Sequence, residues 1–386
     1  MRCIHAVSSS RIHTIPAIAF FKHSNAPGKG PRRLWCASST RGVHGKTSMR
    51  VCIIGCGSIG SLYAAYLARV AEVYAFVRRD EHALAINKEG LRVTGKHEFT
   101  SYPRAATNPA DIPECDLGIV CTKATQTSEA VAPMKGHFSG GAVLSAQNGL
   151  GGEDVIAESV PGYIMRGTTF MSGTRHSDTH VQLELDRPIW IGPYEPRSTP
   201  YAMVKEAAEL IVRSGLKAEA LEDARPAQWS KLIFNASVNG VSALTELPHC
   251  REFANEIDFS DLGFLLHDLI EEGKRVAAGA GVQLRDDPWE MNKVGAQTDH
   301  PPSMLYDVRH RLRTEVDFLG GAIAREARRH GIEAPLHTAL YRLIKGKELS
   351  WQWRSGSHGD QQVLSKFGEK GTGIQNVRYR GEQSSP

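Results

Sequence analysis

Six residues, Gly55-Cys56-Gly57-Ser58-Ile59-Gly60, have the composition and spacing of a cradle for a phosphate group. Gly55 permits a tight turn. Gly57 leaves the backbone bare, so a pyrophosphate can approach it. Gly60 lets the next helix pack close to the preceding strand. The helix start adds free N–H groups and a positive dipole end. A Gly-rich turn without a ligand is the plainer reading, but placement between an apolar strand and a small-residue helix favours a dinucleotide. The next strand, Glu72 to Val77, ends at Arg78-Arg79 where an NAD-binding site usually carries an acid. Guanidinium groups suit a ribose 2′-phosphate through bidentate bonds, so NADP is favoured over NAD. A solvated arginine pair is the alternative.

Further polar residues stand where ligands gather. Lys123 and Asn148 follow two apolar runs, at the carboxyl ends of predicted strands. Lys123 reads as a cofactor contact or as an ordinary helix-start lysine. Asn148 reads as a site residue or as half of an Asn-Gly turn. Lys231, Asn235 and Asn239 recur every four residues and therefore share one face of a predicted helix. They face solvent or a polar cleft. The poor helix propensity of Asn and the scarcity of charge across 232–245 favour the cleft. Pro301-Pro302-Ser303 reads as a helix start with Ser303 as N-cap. Leu305, Val308, Leu312, Val316, Leu319 and Ile323 then predict one long amphipathic helix. Glu315 lies at the edge of its apolar stripe. An ion pair with Arg309, Arg311 or Arg313 is one reading and a place in a site is the other.

The elements that must hold these residues are of two kinds. Residues 49–55, 72–77, 116–122 and 141–146 are short apolar runs suited to a buried parallel sheet. HVQLEL and PIWIG alternate like antiparallel strands and extend that sheet to about residue 221. From Ala224 the apolar period becomes three to four. The expected fold is an α/β N-terminal Rossmann-like NADP-binding domain followed by an all-α C-terminal domain. The expected boundaries are 1–48 for a leader, 49–222, 223–350, and 351–386 for a flexible tail.

The 386 residues carry a formal net charge of +4, from 46 Lys+Arg against 42 Asp+Glu. That average hides an asymmetry. Residues 1–48 hold eight basic residues and no acid; the first acid is Glu72. The remainder sets 38 basic against 42 acidic residues, so no basic surface for nucleic acid is expected there. The leader has the composition of an organelle transit peptide, with mitochondrion ahead of plastid. A start at Met49 and a cytoplasmic protein is the alternative. No apolar run is long enough to span a membrane. The seven Cys do not form a disulfide framework, and no His/Cys/Asp cluster has metal-ligand spacing.

Taken together, GCGSIG (55–60), CTKATQ (121–126), QNGLG (147–151), KLIFNASVN (231–239) and SMLYDVRHRLRTEVDFLGG (303–321) resemble the ketopantoate reductase (2-dehydropantoate 2-reductase) family over about residues 49–350. The last two segments are the specific ones. The resemblance implies NADPH as cofactor and a small 2-oxo acid as substrate, bound between the two domains. It implies Lys231 as general acid, with Asn148, Asn235, Asn239 and Ser303 holding the substrate. Gly55, Cys56, Gly57, Ser58, Ile59, Gly60, Arg78, Lys123, Asn148 and Glu315 would meet the cofactor. The chemistry agrees: an ammonium can polarise a carbonyl and then deliver the proton. Another branched 2-oxo acid such as 2-ketoisovalerate, a hydroxyisobutyrate-type dehydrogenase and an NADP-binding sensor are the competing readings. A homodimer stays open.

Overall fold

The computed structural model describes residues 48–256 and 260–355. The leader expected at 1–48 falls almost wholly outside them, as does the tail beyond Ser355. The first part alternates strand and helix: β1 (Arg50–Ile54), α1 (Ser58–Leu67), β2 (Glu72–Phe76), α2 (Asp80–Glu89), β3 (Leu91–Gly95), β4 (Phe99–Ser101), β5 (Arg104–Ala106) and β6 (Leu117–Val120). It continues through α3 (Thr127–Val131), β7 (Ala142–Ser145), α4 (Gly152–Ser159), β8 (Tyr163–Thr169), β9 (Ser172–Arg175), β10 (His180–Leu185), β11 (Ile189–Pro193), α5 (Tyr201–Ser214) and β12 (Ala218–Ala220). Eight strands form one sheet in the order β12-β11-β8-β7-β6-β1-β2-β5. Its central strands pair in parallel, and β11 meets β8 antiparallel. β6, β7 and all of β1 after its exposed Arg50 are buried because parallel strands covered on both faces have no solvent side. The chain leaves β1 toward β2 and later returns to β6 on the other side of β1. Loops at the carboxyl ends of β1 and β6 therefore splay apart and leave a crevice.

The expectation that HVQLEL extends this sheet is corrected. β10 belongs to a second, four-stranded sheet, β4-β3-β10-β9, and only PIWIG joins the large one. Alternation announces a strand but not its partner, since both sheets offer one covered face.

The second part is helical: α6 (Arg225–Thr245), α7 (Asp261–Gly279), α8 (Pro288–Gly295), α9 (Ser303–Arg309), α10 (Gly320–Arg329) and α11 (Pro335–Ser355). α6 is its axis and packs against the other five. Leu232, Ile233, Ala236, Val238 and Val241 are buried in a core shared with Leu266, Ile270, Val276, Val308 and Ile323. Truncating a core residue such as Ile233 to Ala would cost about 2–5 kcal/mol. The sheet and the helices lie in one compact unit.

Two expectations fail in this half. The long helix over 303–323 is broken in two. Arg311 adopts a left-handed conformation (φ 53°), and the Leu312 N–H turns back to the Asp307 carbonyl (2.8 Å), which closes α9. The chain restarts as α10 after a short turn at Val316–Phe318. The apolar spacing survives this break because both pieces face the same core. The boundary expected at 351 falls inside α11, which runs to Ser355, and the rest of the expected tail lies outside the described residues.

Candidate functional site

The glycine loop has the geometry of a cradle. Gly60 meets its neighbour so closely that a Cβ there would stand 1.9 Å from the Gly55 carbonyl oxygen. A Cβ on Gly57 would meet nothing within 4 Å, so open space lies in front of that backbone. No side chain caps the start of α1. Its first N–H groups keep their donor capacity and their dipole for an anion. These features fit a dinucleotide pyrophosphate: bare backbone, free donors and a crevice beside them. The arginine pair at the end of β2 is split. Arg79 is bound to Asp178 (2.6 Å), whereas Arg78 is exposed and has no partner among the described residues. Asp80, the nearest acid, accepts a hydrogen bond from Thr107.

Lys231 sits in the second turn of α6 and reaches back to the large sheet. Its ammonium donates to Asn148 Oδ1 (2.7 Å) and to the Thr169 carbonyl at the end of β8. It also stands 5.0 Å from the centroid of the Phe170 ring. Burial lowers the Lys231 ammonium to about 8, and the Glu315 charge acts against that shift. Asn148 has both of its expected characters. The Asn-Gly turn is real, with Gly149 at φ 95°, and the Asn side chain holds the lysine. A Cβ on Gly149 would strike the Phe318 carbonyl, which instead accepts the Leu150 N–H (2.9 Å). The loop after β7 is thereby clamped between sheet and helices.

The other residues of the α6 face separate. Asn235, one turn beyond Lys231, is half-buried and its amide has no partner among the described residues, so it is available to a ligand. Asn239 is buried, and its Oδ1 accepts from the Met304 N–H (3.1 Å) and the Ser303 hydroxyl (3.3 Å). Ser303 is therefore not the N-cap. Pro302 holds that position, and Asn239 supplies the capping oxygen from another helix. Ser303 is an exposed first residue of α9.

Glu315 faces inward. It accepts the Ala124 N–H (2.8 Å), and none of the three arginines pairs with it; Arg313 pairs with Asp317 instead. Burial raises its carboxyl, while the Ala124 bond and the Lys123 charge oppose that. Lys123 donates to both carboxylate oxygens of the buried Asp307 (2.6 and 2.5 Å). The loop after β6 is thus tied to α9 and to the turn behind it.

Sequence reading missed Thr169, Phe170, Asp307 and Gln228. Gln228, one turn before Lys231, donates to the Gly149 carbonyl (3.1 Å) and to Glu153 (2.8 Å), and accepts from Arg166 (3.1 Å). All three side chains of this network are buried. It locks the Asn148 loop to the helix that carries Lys231. Only Asp307, a charge on the apolar side of its helix, left a signal in the sequence.

Comparison with known proteins gives matches over both parts of the chain. Residues 51–196 match the model of the ketopantoate reductase PanE/ApbA family, and residues 223–348 match the model of its C-terminal domain. The 2-dehydropantoate 2-reductase of Pyrococcus horikoshii is 31% identical over 303 residues, which are 78% of this chain and 98% of that protein. A PanE/ApbA family ketopantoate reductase from Ralstonia eutropha JMP134 superposes with a TM-score of 0.70 at 28% identity, covering 79% of this chain and all of that one. D-mandelate dehydrogenase, solved with NADH and anilino(oxo)acetate, reaches the same TM-score at 23% identity and shares the fold.

Proposed function

We propose, on the premise that this chain belongs to the ketopantoate reductase family, that it is an NADPH-dependent reductase of a 2-oxo acid, with ketopantoate as substrate and pantoate as product. The observation that carries this reading is the Lys231 ammonium, held beyond the carboxyl ends of β7 and β8 by Asn148 and the Thr169 carbonyl. An ammonium has three donors, and two are occupied. The third is left for a carbonyl oxygen in the crevice. Its value, lowered by burial to about 8, keeps it mostly protonated at neutral pH yet ready to release the proton.

When bound, the cofactor supplies the hydride. Lys231 polarises the substrate carbonyl and gives its oxygen a proton. Asn148 and Thr169 keep the ammonium aimed during that transfer, because Thr169 ends β8 and the Asn148 loop is fastened to α6 through Gln228. The Asn235 amide can hold a substrate carboxylate or hydroxyl without adding charge, and the Ser303 oxygen, whose proton goes to Asn239, can accept from a substrate hydroxyl at the exposed start of α9. Glu315 fixes the loop after β6 through Ala124, and its charge supports the protonated lysine. Gly55 to Gly60 would hold the pyrophosphate, and Lys123 would stand beside it. NADPH is favoured over NADH because Arg78 is unpaired at the end of β2 and the nearby acids Asp80 and Asp178 are engaged elsewhere.

A substrate screen tests this reading. The purified protein should oxidise NADPH with ketopantoate faster than NADH, and faster than with 2-ketoisovalerate or with other bulkier 2-oxo acids. Higher turnover on another 2-oxo acid would move the substrate. Oxidation of 3-hydroxy acids in preference would favour the hydroxyisobutyrate-type reading, and cofactor binding without turnover would favour a sensor. We also propose residues 1–48 as a mitochondrial address, supported by their acid-free basic composition. A fluorescent protein fused after residue 48 should enter mitochondria; cytoplasmic fluorescence would refute it.

A further inference from the structure

The β9–β10 hairpin has no part in the chemistry above, yet it packs against α1, the helix that follows the glycine loop. β9 lies along α1, so close that a Cβ on Gly173 would stand 2.8 Å from Leu62 Cδ1. Strands advance about 3.3 Å per residue. Two residues past Gly173, the strand ends at Arg175. Its charge is felt at the glycine loop: burial pushes the Cys56 thiol up to about 12, and Arg175 acts against it.

The hairpin tip is also clipped to the end of β2. One oxygen of Asp178 accepts from Arg79 (2.6 Å) and from Arg175 (2.9 Å), and the Asp178 carbonyl contacts His82 Nε2 on α2 (3.1 Å). Arg78 stands directly before this cluster and has no partner among the described residues. Arg79 and Arg175 therefore share a single carboxylate, and Arg78, next in the chain to Arg79, adds a guanidinium with no ion pair among the described residues. The three arginines outnumber the one carboxylate that binds them, at the end of β2 where the ribose of a dinucleotide would lie. A surplus of that kind suits a dianionic phosphate monoester.

We infer that Arg175 is a second cofactor-binding arginine, which grips the 2′-phosphate of NADPH together with Arg78 from the opposite side. This rests on the NADPH reading above and goes beyond it, since the hairpin comes from the second sheet. Asp178 holds Arg175 in place before the phosphate arrives, so little side-chain freedom is lost on binding.

The test is a binding titration of the full chain with NADPH and, separately, NADH, followed by nicotinamide fluorescence without substrate. Arg175→Gln should weaken NADPH by about tenfold to a hundredfold, the scale of lost hydrogen bonds to a charged group. NADH affinity should stay within about threefold, and Arg175→Lys should recover part of the loss. Arg175 is half-exposed, and an unchanged thermal midpoint would show that the fold is intact. An unchanged NADPH affinity would overturn the inference. So would an equal loss for both nucleotides, which would place Arg175 on the pyrophosphate. A wild-type chain with no preference for NADPH would instead overturn the cofactor reading itself.

Discussion

Replacing Lys231 with Met removes the ammonium and keeps much of the side-chain volume, so it isolates the proton donor. Loss of a positioned general acid lowers the rate by about 10²–10⁴-fold, which is about 3–5 kcal/mol of barrier at 1.36 kcal/mol per decade. KM and NADPH affinity should move by less than about threefold, since the charge acts on the reacting oxygen. The pH profile gives the sharper check. With a value of about 8, Lys231 is about nine-tenths protonated at pH 7 and about one-tenth at pH 9. Wild-type kcat/KM for the reduction should therefore fall about tenfold across that interval, and the Met variant should lack this alkaline limb. Stability moves the opposite way. The folded value lies below the unfolded 10.5, so the unfolded chain binds more protons between the two and stability rises with pH through that window. At pH 7 the buried ammonium is a burden, and Lys231→Met should raise the thermal midpoint by a margin that vanishes above about pH 10.5. Steady-state kinetics from pH 6 to 10 and thermal melts at the same values measure both. A variant retaining more than a tenth of kcat/KM, with NADPH binding intact, would refute the assignment.

Gly57→Ala should leave the fold intact, because its Cβ points into open space, but weaken cofactor binding about tenfold or more; Gly60→Ala, with its Cβ 1.9 Å from a carbonyl, should cost about 1–3 kcal/mol of stability. Fluorescence titration and urea unfolding separate the two effects. Gln228→Leu strands the Gly149 carbonyl, and leaves Glu153 with a weaker partner, in a buried place. It should cost about 1–3 kcal/mol in urea unfolding and lower kcat more than it raises KM. Glu272 lies in the core and caps α11 by accepting the Leu336 and His337 N–H groups (3.0 and 2.7 Å). Burial alone would raise its carboxyl, but the His337 and backbone bonds hold it below its ordinary value. The stability it adds is thus present above the unfolded carboxyl value and lost as pH falls through the folded one. Glu272→Gln should flatten that acid loss in pH-dependent melts while leaving kcat/KM at neutral pH unchanged.

Much of the site was legible because its signals are local. The glycine spacing of 55–60 speaks of a strand, a turn and a helix within a few residues. The four-residue recurrence of Lys231, Asn235 and Asn239 places them on one helix face whatever the rest of the chain does. The failures have the same origin. Leu305 to Ile323 kept a helical period across a break, since two short helices packed on one core leave the pattern of one long helix. The helix spacing also gave no sign that the Asn239 oxygen caps a helix that begins 64 residues later.

By itself, the sequence determined most element types, the glycine loop between its strand and helix, and the helix face that carries the lysine and two asparagines. Tertiary structure decided which of these act together. Lys231 and Asn148 are 83 residues apart, Lys123 and Asp307 are 184 apart, and Glu315 and Ala124 are 191 apart. Periodicity reports only on which side of its own element a residue lies. The partner it finds there depends on strand order, on the break after α9 and on the packing of α6 against β8. Those are set by burial summed over the whole chain, so neither the lowered lysine nor the arginine cluster at the hairpin could be read from any single segment.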